Sequence, residues 1–271
     1  MISLFLCHME KYIQLAEKQI HVVYINPSIY SEDKPMLVFL HEALGSIPQW
    51  KSFPNLLCDR LKLPGIIIER SGHGKSSPIS EERTSHYLHF YADETNELLK
   101  EVLGFHQPYI LVGHSDGGSI ALIHAAQHYK HCLGVVTMAA HTFVEEETIA
   151  GITPAVEAFE AGKLNGLYAI HGDKTQVLFY AWANTWKAEF FKNWDIREEI
   201  LRINIPVLAM QGAKDQYGTK AQLDSIEKIN TDVTIKEIPN CGHHPHLEMG
   251  MEVILEIETW IKKHFQFINF H

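Results

Sequence analysis

Residues 109–130 read YILVGHSDGGSIALIHAAQHYK, and this stretch decides the fold. Its first half is an apolar, β-branched run that predicts a strand over 109–114, and its second half predicts a helix over about 118–130. Between them stands Gly113-His114-Ser115-Asp116-Gly117, a G-x-S-x-G. The composition alone predicts about 0.05 such matches by chance, so the motif is informative before its context is added. Strand, motif and helix in that order predict a nucleophile elbow, a sharp turn that holds a serine in a strained conformation. The flanking glycines suit it because side chains there would meet neighbouring backbone. The competing reading is an ordinary glycine-rich turn.

Outward from this turn, short apolar runs alternate with amphipathic ones. Strands are predicted at 11–16, 20–25, 36–40, 65–69, 134–140, 205–212 and 233–239, the first two as an antiparallel pair. Helices are predicted near 49–61, 84–103, 219–229 and 247–265. From residue 36 onward the strands are nearly continuously apolar, as in a mostly parallel sheet covered by helices on both faces. Over sixty residues separate the strand ending near Ala140 from the one starting near Ile205, far beyond a typical ~2–6-residue connection. That segment carries Phe159, Tyr168, Phe179, Tyr180, Trp182, Trp186, Phe190, Phe191 and Trp194. It reads as a helical cap at 142–203 inserted into a core formed by 1–141 and 204–271.

The 271 residues are 46% hydrophobic and carry a formal net charge of −10, proportions of a globular chain large enough to bury its own core. No basic cluster offers a face to a phosphate backbone, which places nucleic acid last among partners. Cys7, Cys58, Cys132 and Cys241 stand far apart without a CxxC pair, as suits a reducing cytosol. The opening MISLFLCHME lacks the positive flank and length of a signal peptide, and residues 1–8 could be an over-extended start before Met9. No run approaches the ~18 apolar residues of a membrane helix. A cytoplasmic location follows as the expectation, with no membrane partner.

A serine hydroxyl needs a base to take its proton and an acid to orient that base. Asp215 stands in QGAKD just past the predicted strand PVLAM, and His243 in PNCGHHPHLE after VTIKEI. The spacing leaves room for one helix and one strand, which brings both side chains to the end of the sheet where α/β ligand sites lie.

With these residues quoted, the chain resembles an α/β-hydrolase fold serine hydrolase over nearly its whole length. LVFLHEALGS at 37–46, ERSGHGKS at 69–76, GHSDGG at 113–118, QGAKD at 211–215 and GHHPHLE at 242–248 carry the resemblance. HEALGS, AHTFVEE and QYGTKAQ resemble a bacterial, esterase-like subgroup. The resemblance implies a catalytic triad of Ser115, Asp215 and His243, the base being the histidine directly after the glycine rather than His244 or His246. It also implies Glu145 or Glu146 as the alternative acid. An oxyanion hole needs backbone N–H groups. One is expected from Asp116, directly after the nucleophile. The other is carried over to Ala43, although His41-Glu42-Ala43 stands where relatives read His-Gly-x. Glu42 is expected to be an exposed, flexible side chain.

Two phosphate motifs fail: Glu69 stands where GxxxxGKS needs glycine, and Ser77 ends the GxGxxG match. His243, His244 and His246 lack a carboxylate or cysteine at ligand spacing, so no metal is expected, and no cofactor is implied. Trp182 and Trp186 are four apart on one helical face and, with His114, are candidate pocket residues; the tryptophans also read as cap core. Asp116 has two readings, a helix cap or a contact for a substrate amine or hydroxyl. Relatives with G-x-S-D-G-G include valacyclovir hydrolase-like enzymes, which act on amino-acid esters.

The expected activity is cleavage of a small carboxylic ester through an acyl-enzyme, with an ionisation near ~6–7 from the catalytic histidine. Thioester, lactone or carbon–carbon hydrolysis on the same triad is the alternative, as is a catalytically silent protein that binds a small ligand. The expected partner is a small-molecule acyl substrate, and a homodimer is allowed.

Overall fold

The computed structural model describes residues 8–31, 34–80, 82–104, 106–127 and 129–265. The start before Met9 lies almost wholly outside the described residues. Eight strands form one sheet: β1 (His8–Leu15), β2 (Lys18–Ile25), β3 (Met36–Leu40), β4 (Gly65–Glu69), β5 (Tyr109–His114), β6 (Cys132–Met138), β7 (Val207–Gly212) and β8 (Val233–Ile238). Their spatial order is β1-β2-β4-β3-β5-β6-β7-β8. β1 and β2 form an antiparallel hairpin, β2 also lies antiparallel to β4, and all other pairs are parallel.

The continuous apolar runs have the cause expected of them. β3, β4, β5 and β7 are buried at every residue, because helices cover both faces. Alternate residues of one strand feed opposite layers. Met36, Val38 and Leu40 of β3 pack in one core cluster, while Leu37 and Phe39 pack in the other. α1 (Phe53–Leu61) and α10 (Gly250–His264) cover the second face. α2 (Tyr87–Leu103), α3 (Asp116–Gln127) and α8 (Ala221–Ile226) cover the first.

From β3 the chain crosses to β4 on one side and then returns through α2 to β5 on the other. The sheet order therefore reverses at β3/β5, and the carboxyl ends of those strands form the crevice where open α/β sheets bind ligands. β5 ends in that crevice.

Between β6 and β7 stand α4 (Glu146–Glu160), α5 (Gly166–His171), α6 (Thr175–Lys187) and α7 (Arg197–Ile200). The ends of this segment are tied together: Val144 N–H donates to Trp194 O and Ile196 N–H to Thr142 O. Its aromatics form the packing, with Phe159 stacked on Phe179 at 3.9 Å and Trp186 against Phe191 and Trp194. α7 packs against α3 and α8. α8 is shorter than the helix expected over 219–229, and Thr219 just before it gives its N–H to Glu145. Among the described residues no helix is long and apolar enough to cross a membrane. Cys58, Cys132 and Cys241 are buried free thiols; Cys7 lies outside the described residues.

Candidate active site

The elbow forms because β5 stops at His114 and α3 starts at Asp116, leaving one residue to reverse the chain. That residue, Ser115, has φ +52°, in the left-handed region where a side chain is strained. Ser115 N–H donates to Met138 O at 2.8 Å, and Ser115 O accepts from Gly118 and Ser119 N–H. A Cβ at Gly113 would sit 2.2 Å from Gly117 O, and one at Gly117 would sit 2.0 Å from Leu40 O. Both glycines are therefore required by backbone crossing backbone.

Asp215 lies three residues beyond β7, and His243 lies in the loop after β8. The two loops are clamped together by Lys214 N–H donating to Cys241 O at 2.8 Å. Glu248 closes the histidine loop by accepting from Gly242 N–H at 2.7 Å and His244 N–H at 3.0 Å. Ser115 Oγ stands 3.0 Å from His243 Nε2, while His243 Nδ1 stands 2.8 and 3.0 Å from the Asp215 carboxylate oxygens. A carboxylate accepts, so Nδ1 carries the proton and Nε2 presents a lone pair to the serine hydroxyl. Asp215 also accepts from Tyr217 N–H at 2.9 Å.

Glu145 is not in this line. Its oxygens accept from Thr219 N–H, Thr219 Oγ and Gln222 Nε2, and Glu146 is exposed on the first turn of α4. The carboxylate beside His243 is Asp215.

Burial, being stronger than the neighbouring carboxylate, pushes the His243 imidazole down to about 4. Asp215 opposes the shift through its bond and charge, while His114 and His141 add to it. The ionisation expected near ~6–7 is therefore corrected downward, because a sequence carries no measure of desolvation. Burial would raise Asp215, but the His243 bond and charge outweigh it and hold the carboxyl below its ordinary value.

A cavity of about 240 Å³ opens over Ser115, and Ala43, Asp116, Trp182, Trp186 and His243 all line it. His114 does not. It is wholly buried beneath, where its Nε2–H donates to His243 O at 2.7 Å, so it supports the histidine loop instead of a pocket wall. Glu42 is also corrected. Its carboxylate is folded back toward Gly45 and faces His114 Nδ1 at 3.4 Å, with only 16% of its side chain exposed. His114 draws the Glu42 carboxyl well below its usual range, against the opposing effect of burial.

The loop carrying Ala43 is held by a residue of the ERSGHGKS stretch to which sequence reading gave no role. The guanidinium of the fully buried Arg70 donates to His41 O and, at 2.9 Å, to Glu42 O. His73 Nε2 lies 3.0 Å from Ala43 O. Asp116 is 2% exposed, and its Oδ2 accepts from Tyr87 OH at 3.0 Å; that hydroxyl in turn accepts from Trp186 Nε1 at 2.8 Å. This chain joins α2, α3 and α6 at the cavity wall, and neither reading of Asp116 anticipated it. Among the described residues no three His, Cys, Asp or Glu side chains group as metal ligands.

Comparison with known proteins agrees with this fold. A family model described as alpha/beta hydrolase fold matches residues 35–159. A 2-succinyl-6-hydroxy-2,4-cyclohexadiene-1-carboxylate synthase of Enterobacter sp. (strain 638) is 31% identical over 115 residues, 42% of this chain and 40% of that protein. The synthase of Escherichia coli O7:K1 is 32% identical over 108 residues, 40% of this chain and 39% of its own. The chain thus spans about two fifths of the length of the curated relatives it matches. Among solved structures, a serine hydrolase involved in carbazole degradation covers 94% of this chain and 99% of its own, with TM-score 0.73 at 18% identity. The enol-lactonase from Burkholderia xenovorans LB400 covers 93% and 99%, with TM-score 0.71 at 15% identity. With the family model on β3 through α4, the β3/β5 reversal and the serine turn after β5, the chain has the α/β-hydrolase fold.

Proposed function

We propose that this chain is a serine hydrolase that cleaves a small carboxylic ester through an acyl-enzyme. The observation that carries the reading is the unbroken line Ser115 Oγ–His243 Nε2, His243 Nδ1–Asp215 at a cavity lined by Ser115 and His243. Ser115 Oγ attacks the carbonyl carbon as His243 takes its proton, and the carbonyl oxygen becomes an oxyanion facing the amides of Ala43 and Asp116. Collapse expels the alcohol, which leaves with the proton from His243. A water, deprotonated by the same Nε2, then attacks the acyl-serine, and the acid departs as the proton returns to Ser115. Asp215 holds the imidazole in the tautomer with Nε2 free and stabilises the imidazolium formed in each half-reaction. The helices between β6 and β7 act as a cap that supplies Trp182 and Trp186 to the cavity.

The cavity chemistry narrows the acyl group. Its charged lining residues are two carboxylates, Glu42 and Asp116, and no Lys or Arg is among the described ones. This favours neutral or cationic esters. It weighs against the carboxylate-bearing compound for which the curated relatives are named, since no cation stands in the cavity to pair with it. Lactone, thioester or carbon–carbon substrates use the same groups. A panel of matched esters with neutral, cationic and anionic acyl parts tests the proposal, together with labelling by a fluorophosphonate. Turnover of the neutral and cationic members, with Ser115 labelled, is expected. Failure of the folded protein to label or to turn over any ester would leave a silent binding protein as the reading.

A further inference from the structure

A second cavity, of about 360 Å³, lies on the far side of Tyr87 from Ser115. Tyr87 is the partition: its ring lines this cavity, and its hydroxyl binds Asp116 and Trp186, which line the other. At the floor stands Arg83. All three of its guanidinium nitrogens are covered from solvent, and among the described residues none makes a well-formed hydrogen bond, the Tyr91 hydroxyl being the polar group near enough to interact with it. Its carbon centre sits 4.7 Å from the Tyr87 ring centroid, a contact with the π-face.

The nearby acids do not hydrogen-bond the guanidinium, although Glu82 and Asp93 share the cavity lining and Glu94 Oε2 is buried without a partner among the described residues. Glu94 accepts from Ser71 N–H at 3.0 Å, Asp116 accepts from Tyr87, and the Tyr91 hydroxyl donates to Ser71 O. Glu82 and Asp93 are exposed residues of the lining. The positive charge is reinforced. Lys18 lines the same cavity with its ammonium 4.2 Å from the Phe90 ring centroid, and Arg70 lies close enough for Arg83 to depress its pKa. His89, another lining residue, gives Nε2 to Glu199 at 2.7 Å and keeps a buried Nδ1 without a partner.

A half-buried guanidinium whose nitrogens are covered from solvent and mostly unpaired is costly, and folds ordinarily give such a group a carboxylate, a phosphate or ordered water. We infer that the Arg83 cavity is a second binding site, taking a small oxyanion, carboxylate or phosphate, in bidentate contact with the guanidinium and near Lys18. The planar fork of arginine matches both anions. The site is separate from the Ser115 cavity and does not depend on the hydrolase reading.

Calorimetric titration of the whole chain with inorganic phosphate and, separately, with succinate, at constant ionic strength against chloride, tests the inference. Saturable binding of at least one anion is expected, with the two arms separating phosphate from carboxylate preference. Arg83→Gln should weaken that binding at least tenfold, Arg83→Lys less, and the bound anion should raise Tm in the wild type but not in Arg83→Gln. Turnover of a neutral ester by Arg83→Gln should stay within about twofold, which places the lost anion outside the catalytic cavity. Should Arg83→Gln fail to fold, Lys18→Gln is the substitute and should weaken the same binding. Absence of saturable binding by either anion, or unchanged affinity in folded Arg83→Gln, would overturn the inference.

Discussion

The sharpest test of the proposed mechanism is the acid limb of its pH profile. Only neutral His243 can accept the Ser115 proton, so kcat/KM follows the deprotonated fraction of the free enzyme. Burial holds His243 down at about 4. At pH 5 a group with that value is about 90% neutral, whereas an ordinary histidine near ~6.5 would be about 3% neutral. The expected kcat/KM at pH 5, relative to its plateau at pH 8, is thus roughly 30-fold higher than an unshifted histidine allows.

The same shift bears on folding, and the two effects must be separated. The folded pKa is depressed, so between about 4 and ~6.5 the unfolded chain binds more protons at this residue than the folded chain does. The stability contribution of a neutral His243 is therefore complete above ~6.5 and declines as pH falls toward about 4. The loss is about 3 kcal/mol in all. Asp215 is also depressed, so its contribution is present above its ordinary value near 3.8 and fades below it. Initial rates with a neutral ester from pH 4 to 9 should be paired with circular dichroism at each pH and with recovery on return to pH 8. A midpoint near 6–7 in protein that remains folded would refute the argument that desolvation controls this histidine.

Ser115→Ala should retain the fold and lose several orders of magnitude in kcat, leaving what the oxyanion amides and binding provide; a near-native steady-state rate would remove Ser115 from the reaction. Asp215→Asn should cost on the order of 10⁴ in kcat by favouring the wrong tautomer, while Glu145→Gln stays mild in rate and lowers Tm through its Thr219 and Gln222 bonds. Gly117→Ala should destabilise by about 1–3 kcal/mol or more, read in thermal melts, because its Cβ would meet Leu40 O at 2.0 Å. Asp116→Asn should erase any preference for cationic over neutral esters in kcat/KM while sparing the neutral ones. An unchanged ratio would confine Asp116 to holding Tyr87.

Most of the fold was legible because its signals are local. β3, β4, β5 and β7 announced themselves as apolar runs, since being covered on both faces demands side chains that tolerate burial everywhere, while the half-buried edge strand β8 mixes Thr, Lys and Glu with its apolar residues. The elbow was legible for a stricter reason: Gly113 and Gly117 are places where backbone meets backbone, and no other residue fits there. The helix expected over 219–229 spans Ala221–Ile226, and Thr219 before it is engaged through its N–H and hydroxyl by Glu145, a residue 74 positions away. Periodicity cannot register such a bond.

The site divides along the same line. Ser115, Asp215 and His243 lie at strand ends, where topology alone delivers side chains to one crevice. The sequence favoured Asp215 and kept Glu145 as the alternative acid, since both follow strands; they differ in the partners that occupy them, His243 for Asp215 and Thr219 with Gln222 for Glu145. Arg70, Tyr87, Glu248 and the inward turn of Glu42 were beyond reach for a related reason. Arg70 and Glu248 act on backbone carbonyls and amides, which leave no trace in residue identity, while Tyr87 and Glu42 meet side chains of elements distant in sequence. His114 shows the hazard of the opposite inference. Adjacent to Ser115 in sequence, it reads as a pocket residue, but the strand's alternation turns its ring to the opposite side of the elbow from the cavity. There it meets His243 O and the Glu42 carboxylate, so neighbourhood in the chain became support from below.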